Sequence, residues 1–266
     1  MTQYPELKAT INGREVCWEE ISHWKAMRSA HVLQELVDFG QTLYLNGQPL
    51  PNNQFYSLSE DELLQASIES KLALGQDKIL ELYADKLAES DQMWTDIVAN
   101  TPKGAPLKEA HVIFEIKGIS PALIANIDKE GGMDVQASYA IHPEHYVFSQ
   151  KGNVQHVMET FGGYKNPSYF RLEMLDPKTN QLPGKVDPRA VNIIFGVGHL
   201  VSKELNIQQY AMHQFIPTET GLKVDLGIFA PAGVPDEAIV GHMEHFAVEF
   251  GSIFKMAIDA GRQAAG

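Results

Sequence analysis

The 266-residue sequence has one cysteine, no long apolar run and no concentrated basic stretch. Because Cys17 has no second cysteine to pair with, an internal disulfide is excluded, which is typical of proteins from reducing compartments. No window holds about 18 consecutive apolar residues, so no membrane-spanning helix is expected. The N-terminus also lacks the basic start and apolar run of a secretory signal, and a cytoplasmic protein is therefore predicted.

The charge balance is acidic. Thirty-four acidic and 21 basic residues give a formal net charge of -13, and the basic residues are scattered along the chain. A nucleic-acid-binding surface needs a basic stripe, and none is visible. We therefore expect neither a nucleic acid nor a membrane as partner. The hydrophobic fraction of 44% is ordinary for a globular protein and sufficient for a sizeable core.

The residue pattern changes near position 105, which predicts an N-terminal helical region (1–105) followed by a second domain (106–266). In the first region, residues 18–39 follow helical spacing. Ser59 and Glu62 form a capping box, in which the serine and the glutamate three positions later satisfy free backbone N–H groups at the start of a helix. The apolar positions of these helices exceed what one helical pair can bury, so they are expected to pack on the second domain or to form a homodimer.

The second domain is predicted to be rich in strands joined by short turns, which favours antiparallel neighbours. The predicted strands are 110–117, 137–141, 153–160, 169–175, 190–197, 209–218 and 221–230. Pro235 and Asp236 then signal the start of one long final helix. This order predicts an α+β fold in which a curved antiparallel sheet wraps around that helix. A cavity between them would hold a small, mostly apolar ligand.

The final helix carries the clearest chemical signal. His245 and Glu249 are four residues apart, so their side chains lie on one face, beside an apolar stripe that includes Met243 and Phe246. An imidazole and a carboxylate at this spacing can chelate one divalent ion. The alternative is an ordinary surface pair on a solvated face. His242, one turn away, is either a second ligand or an exposed residue.

Residues outside this helix supply the other candidates. Glu159 lies in an apolar strand, where a carboxylate is costly unless it is paired or coordinated; otherwise it faces water at the strand end. His213 is a candidate acid–base catalyst facing the cavity, or a strand histidine hydrogen-bonded for structure. Tyr139 is a second catalytic candidate. His142 and His145 flank a Pro-Glu pair in a predicted loop, and ordinary exposed loop histidines are the preferred interpretation of both.

Together these motifs resemble the phloretin hydrolase and diacetylphloroglucinol hydrolase family. Its members are zinc-dependent enzymes that cleave the carbon–carbon bond between a phloroglucinol-type ring and an acyl group. The family's last helix carries a zinc-binding histidine and glutamate four residues apart, matched here by His245 and Glu249. A Gly-Val/Ile-Thr/Ser-Pro segment is matched by 118–121 and a Pro-Glu loop ending in histidine by 142–145. A glutamate ligand ahead of two glycines is matched by Glu159.

The resemblance implies a helix-grip (Bet v 1/START-like) domain with an added N-terminal helical region. It also implies that His213 lies near the substrate and that a zinc ion has three of its ligands in this chain: Glu159, His245 and Glu249. A fourth family ligand, the histidine of a Trp-His segment, has no counterpart in 124–132. Either Glu130 replaces it, and a carboxylate-rich ligand set then favours Mn²⁺ or Fe²⁺, or His142 or His145 fills the gap, or that ligand is lost.

Two functional hypotheses follow. The first is a metal-dependent hydrolase that cleaves a carbon–carbon bond of an acyl-phenolic or polyketide-like small molecule. The metal would supply an activated water and polarise the carbonyl, while His213 delivers a proton to the departing ring carbon. The second is a metal-free protein of the same fold that binds a hydrophobic ligand or guides a cyclisation or isomerisation.

Overall fold

The computed structural model describes residues 6–119 and 133–265, with side chains described as far as residue 260. The described part is a mixed α/β structure with a nine-stranded antiparallel sheet, a separate two-stranded hairpin and six α-helices. No helix in these two ranges is both long and apolar enough to cross a membrane.

The strands and helices are numbered in chain order. The strands are β1 (Glu6–Ile11), β2 (Arg14–Val16), β3 (Leu43–Leu45), β4 (Gln48–Leu50), β5 (Lys108–Lys117), β6 (His145–Lys151), β7 (Val154–Glu159), β8 (Ser168–Met174), β9 (Asn192–Leu200), β10 (Asn206–Thr218) and β11 (Gly221–Ala230). The helices are α1 (Trp18–Asp38), α2 (Glu60–Leu74), α3 (Gln76–Leu82), α4 (Ala84–Asn100), α5 (Val135–Ile141) and α6 (Asp236–Ala265). The order across the large sheet is β2-β1-β5-β11-β10-β9-β8-β7-β6, and β3 pairs with β4.

Six of the seven predicted strands are confirmed within a few residues as β5 and β7 to β11. The prediction of a strand at 137–141 is wrong, because these residues belong to helix α5. Asp134 caps this helix by accepting a hydrogen bond from the Ala137 N–H at 2.7 Å. A cap of this kind satisfies an N–H group that the first turn leaves free, and it outweighs a five-residue alternation that is too short to specify a strand.

The N-terminal region contributes to the large sheet as well as to the helices. Strands β1 and β2 form a hairpin whose two turn residues, Asn12 and Gly13, have φ angles of 51° and 77°. Positive φ at both positions is the requirement of a type I′ turn, for which Asn-Gly is the preferred sequence. Strand β1 then pairs along its length with β5. Residues 1–105 were predicted to be helical, and the described part of this range is mixed instead; the boundary at residue 105 stays a prediction.

The predicted helical features are confirmed at α1, α2 and α6. The capping box at Ser59 and Glu62 is present, and the helical stretch that follows breaks at Gly75 and at Tyr83. Helix α6 packs against β1, β5 and β11 and also against α1. Its apolar stripe is buried in the main core, where the Phe254 ring meets that of a β5 phenylalanine edge to face. The sheet and α6 thus enclose the core between them.

Helix α6 also touches the turn that ends β7, and the contact is backbone against backbone. A Cβ atom at Gly241 would lie 2.0 Å from the carbonyl oxygen of Gly162. A Cβ atom at Gly162 would lie 2.4 Å from both Ala238 O and His242 N, and this glycine has a φ of 67°. Such a φ is strained for any residue with a side chain. The two glycines therefore set how closely the end of β7 approaches α6.

Replacing Gly241 with alanine should force α6 away from the end of β7. We expect this overpacking to lower the free energy of unfolding by about 1–3 kcal/mol, although alanine is intrinsically favoured over glycine within a helix by about 1 kcal/mol. Urea denaturation measures the change. Gly251→Ala in the same helix is the matched control, since its Cβ would be in ordinary contact with Ile21 at 3.4 Å. Equal stability of the two variants would contradict the close approach.

Candidate metal centre

The candidate site lies where β6, β7 and α6 meet. His145 opens β6 and is paired across the antiparallel ladder with Glu159, which closes β7. Helix α6 passes beside this end of the hairpin and presents His245 and Glu249 from successive turns. His145 and His245 are fully buried or nearly so, and Glu159 is only 9% exposed. The hairpin register and the helix position therefore bring two imidazoles and two carboxylates together inside the protein.

The distances among these four side chains match the edges of a metal coordination shell. Glu159 Oε2 lies 3.4 Å from His145 Nε2 and 3.7 Å from His245 Nε2. His245 Nε2 lies 3.9 Å from Glu249 Oε2. Ligand atoms bound at about 2.1 Å in a tetrahedral site are about 3.4 Å from each other. These three contacts place the two carboxylates beside the histidine nitrogens, so the four residues could hold a single divalent cation.

A third histidine joins the group. His142, His145 and His245 each offer a ring nitrogen, and these nitrogens lie within 4.8 Å of one another. The rings of His142 and His245 are stacked, with centroids 3.6 Å apart. Three buried histidines are thus close enough to bind a metal ion. The interpretation of His142 and His145 as exposed loop residues is wrong, because their exposed fractions are 0% and 3%.

Several of these nitrogen atoms have no hydrogen-bond partner among the described residues. They are Nε2 of His142, Nε2 of His145 and both ring nitrogens of His245. Leaving a buried polar atom without a partner costs about 1–3 kcal/mol. A cluster of such atoms close to one another is therefore expected where a ligand or a metal ion completes the site.

The second nitrogen of His145 is held in the manner of a metal ligand. Its Nδ1 atom lies 3.1 Å from the carbonyl oxygen and 3.0 Å from Oγ of Ser138. A carbonyl oxygen can only accept, so Nδ1 carries the proton and donates to it. In a metal-bound state Nε2, which lies close to Glu159 and to the ring nitrogens of His142 and His245, would be the nitrogen left to bind the ion. A hydrogen bond from the far nitrogen to a carbonyl is the arrangement that orients metal-bound histidines.

The electrostatics of the cluster also favour a cation. Burial lowers the pKa of His142 and of His245, which keeps both imidazoles in the neutral form that binds metals. Burial opposes the charged form of His145 too, but the carboxylates of Glu159 and Glu249 outweigh it and raise the pKa of this residue. Burial, opposed by His145 and assisted by Glu159, raises the pKa of Glu249 to about 7. A divalent ion would supply the positive charge that these two carboxylates lack.

A buried lysine from helix α2 holds the loop that carries the histidines. The Lys71 ammonium donates to the carbonyl oxygens of Pro143 at 2.5 Å and of His145 at 2.8 Å, and it lies 4.0 Å from the centre of the Tyr139 ring. Lys71 is wholly inaccessible to solvent, and burial lowers its pKa well below the usual value. Its two hydrogen bonds fix the backbone on both sides of Glu144.

Helix α1 supplies two further cations to the same segment. Arg28 forms an ion pair with Glu144 at 2.8 Å, and the Thr160 hydroxyl donates to the same carboxylate. Lys25 donates to the carbonyl oxygen of Ala140 at 2.5 Å and to the hydroxyl of Ser252 in α6 at 2.9 Å. Burial lowers the pKa of Lys25 to about 8. The N-terminal helices therefore pack on the site, and their cations form one of its walls; a homodimer stays a prediction.

His213 and His242 are buried near the same helix but lie outside the three-histidine group. His213 projects from β10 against the rings of Phe246 and Phe250, at centroid distances of 5.0 and 4.9 Å, and burial lowers its pKa to about 4. His242 is stacked on Phe161 at 4.2 Å, and burial lowers its pKa to about 3. Neither Nδ1 atom has a hydrogen-bond partner in the described part of the chain. The alternative that His242 is exposed is therefore wrong.

Tyr139 and Glu130 are the two other predicted site residues. The Tyr139 hydroxyl donates to the carbonyl oxygen of Tyr146 at 2.7 Å, and its ring covers Lys71. These contacts describe a structural residue beneath the histidine loop and give no support to a catalytic role. Glu130 lies in 120–132, outside the described residues, so its role as a ligand stays a prediction. His145 lies beside Glu159 and His245 and is a further candidate for the fourth ligand.

The cavity predicted between α6 and the sheet is a separate matter. Two pockets lined by described residues lie elsewhere, one at 74–78 where α3 begins and the other between α4 and residues 165–166. The predicted cavity is not one of them and stays a prediction. The His245 face of α6 is nevertheless buried, as that prediction requires.

Comparison with known proteins does not assign the chain to a family. No protein-family model matches the sequence, and no curated protein is significantly similar to it. The functional assignment therefore depends on the geometry of the site and on the motif resemblance.

Substitution of Lys71 by methionine should weaken metal binding without removing a ligand. Methionine fills a similar volume but cannot donate to the carbonyls of Pro143 and His145, so the His145 ring loses its fixed orientation. We expect the affinity for Zn²⁺ to fall by about 10- to 100-fold, the usual effect of losing an orienting group behind a ligand. Competition with a coloured chelator measures the affinity. Lys78→Met, at a partly exposed lysine in α3, is the control, and equal affinities of the two variants would refute the positioning role.

Proposed function

We propose that the chain is a metal-dependent hydrolase that cleaves a carbon–carbon bond in an acyl-phenolic or polyketide-like small molecule. The observation that carries the proposal is the convergence of His145, Glu159, His245 and Glu249 in a buried cluster with unpartnered nitrogens. Structural zinc sites are built mainly from cysteine, whereas histidine–glutamate sets are typical of catalytic zinc sites. The ligand types thus favour a catalytic centre.

Zn²⁺ is the metal that this ligand set favours. With His145 in place of Glu130, the shell has two imidazoles and two carboxylates, and it is less anionic than the three-carboxylate shell predicted from the sequence. Imidazole ligands suit zinc, while purely oxygen-donor sites suit harder ions. Mn²⁺ and Fe²⁺ are the alternatives for the same residues. When bound, zinc lowers the pKa of a coordinated water to about 7 and polarises a substrate carbonyl.

The chain's own residues account for the remaining steps. Cleavage between a ring carbon and an acyl carbon leaves negative charge on the ring, and a proton must reach that carbon. His213 is a buried histidine with an unpartnered Nδ1, and the aromatic rings of Phe246 and Phe250 beside it suit a phenolic substrate. The pairing of β10 with both β9 and β11 holds His213 in place. Burial keeps this imidazole neutral, so we assign it the relay of a proton that it takes from the attacking water and delivers to the ring carbon.

The helix-grip architecture belongs to the same proposal. Its support is a long C-terminal helix packed on an antiparallel sheet that includes β1, β5 and β11. The family that the motifs resemble has this arrangement, together with an N-terminal helical region comparable in position to α1–α4. In such a fold the substrate binds between the helix and the sheet.

One observation favours the metal-free alternative. His145 and Glu159 are 3.4 Å apart, and a protonated His145 would form a closed ion pair with that carboxylate. A buried ion pair of this kind needs no metal, and the protein would then bind a hydrophobic ligand or guide a cyclisation or isomerisation. Metal content separates the two functions.

Elemental analysis of the protein, purified without chelators, should find about one zinc ion per chain. His245→Ala and Glu249→Ala should each lose most of it, because too few ligands then remain to hold the ion. His23→Ala is the control, since this exposed histidine lies on α1, where it contacts Glu60. A metal-free wild type would favour the alternative function. Unchanged metal content in the His245 and Glu249 variants would exclude these residues as ligands.

Hydrolysis of phloretin or diacetylphloroglucinol, followed by chromatography of the products, tests the reaction. His213→Gln should lower kcat by about 100- to 10,000-fold, the usual contribution of a positioned acid–base group, and should keep its full metal content. His199→Gln on the neighbouring strand β9 is the control. A metal-loaded wild type that is inactive on both compounds would show that the substrate class is wrong. Equal rates for the two variants would remove His213 from the mechanism.

A further inference from the structure

His142 differs from the other buried histidines in its hydrogen bonding. The backbone N–H of Glu144 donates to His142 Nδ1 at 3.1 Å. A backbone N–H can only donate, so Nδ1 must be unprotonated and accept this bond. An imidazole with a free Nδ1 carries its proton on Nε2. His142 and His145 therefore hold opposite tautomers, because His145 is protonated on Nδ1.

This tautomer makes His142 unsuited to bind the metal. A ligand nitrogen needs a free lone pair, and His142 Nε2 is occupied by its proton. The same atom is buried and has no acceptor within the described ranges, although it belongs to the group of nitrogens that lie within 4.8 Å of one another. A buried donor left without an acceptor is costly. An acceptor supplied by a bound molecule would satisfy it.

The donor is held firmly in place. The His142 ring is stacked on that of His245, with an interplanar angle of 19°. Glu144, whose backbone fixes the tautomer, is anchored in turn by the ion pair with Arg28 and by the Thr160 hydroxyl. A donor fixed before the substrate arrives is the kind that stabilises charge developing on an oxygen.

The neighbouring groups indicate which oxygen is bound. In the proposed metal-loaded site Glu159, Glu249 and His145 Nε2 bind the cation, so none of them donates to an incoming oxygen. His142 is the side chain at this centre whose hydrogen bonding requires it to donate. A carbonyl oxygen, which can only accept, is its natural partner.

We propose that His142 is not a metal ligand but a catalytic hydrogen-bond donor, whose Nε2–H binds the carbonyl oxygen of the acyl group under attack. The inference rests on the proposed metal-dependent hydrolase and adds the residue that stabilises the negative charge formed on that oxygen. It divides the three buried histidines into two ligands, His145 and His245, and one donor.

The tautomers can be observed directly. In zinc-loaded protein labelled with ¹⁵N-histidine, NMR should show His142 protonated on Nε2 and bare on Nδ1. His145 should show a protonated Nδ1 and a metal-bound Nε2. The His142→Gln and His145→Gln spectra assign the two signals. A metal-bound Nε2 on His142 would overturn the proposal, and so would a proton on its Nδ1.

Two substitutions separate a donor from a ligand. His142→Phe keeps a ring stacked on His245 but cannot donate. It should retain wild-type zinc content, lower kcat by about 100- to 1,000-fold and weaken binding of acetohydroxamate, a carbonyl-containing probe, by about 10- to 100-fold. His142→Gln places an amide N–H where Nε2 was and should recover most of both losses.

The outcomes distinguish this inference from the proposed function. Loss of zinc from folded His142→Phe, as in His245→Ala, would make His142 a ligand and overturn the inference alone. Wild-type turnover and probe affinity in His142→Phe would overturn it as well. If circular dichroism shows that His142→Phe does not fold, the wild-type NMR tautomers and the His142→Gln measurements decide the question. A wild-type protein without zinc would instead be a failure of the proposed function.

Discussion

The site depends on one backbone contact, the close approach of Gly162 to Gly241. Strand β7 ends three residues before Gly162, and His245 lies about one turn beyond Gly241 in α6. Without a side chain at either position, the helix lies directly on the turn. Glu159 can therefore reach His245 across a gap of 3.7 Å. Any Cβ atom in this contact would separate strand from helix, and the carboxylates and imidazoles would no longer share a centre.

A second constraint is that buried charges need neutralising partners. The described part of the cluster contains two buried carboxylates, those of Glu144 and Glu159, and the partly exposed carboxylate of Glu249, and burying an unpaired charge is costly. Arg28 neutralises Glu144 through a direct ion pair. Lys71 donates to backbone carbonyls and forms no ion pair with Glu159 or Glu249. The cations of the N-terminal helices thus neutralise the carboxylate of Glu144 but not those of Glu159 and Glu249. The negative charge of these two residues favours a bound cation.

Local signals predicted much of this structure. The final helix, the capping box at Ser59 and most strands follow from spacing and turn residues alone. Glu159, His245 and Glu249 were chosen from the sequence, and the structure brings them together. The burial of His145 could not be predicted locally, because its ring packs against β7 and the final helix, the latter some 100 residues later in the sequence. The signal that was available is the apolar run 146–148, which places the loop at the entry to a buried strand. Helix α5 replaces the predicted strand because the cap at Asp134 outweighs the short alternation at 137–141.

The order of the proposed ligands along the chain has a consequence for biosynthesis. His145 and Glu159 are made early, but their partners lie in the last helix, some 90 residues later. Domains fold on the ribosome from the N-terminus as the chain emerges. A nascent chain would therefore carry only His145 and Glu159 of this site until α6 leaves the exit tunnel and docks. If the proposed centre binds a metal, its occupancy would then report that synthesis and folding are complete, and a chain truncated before α6 would lack the site.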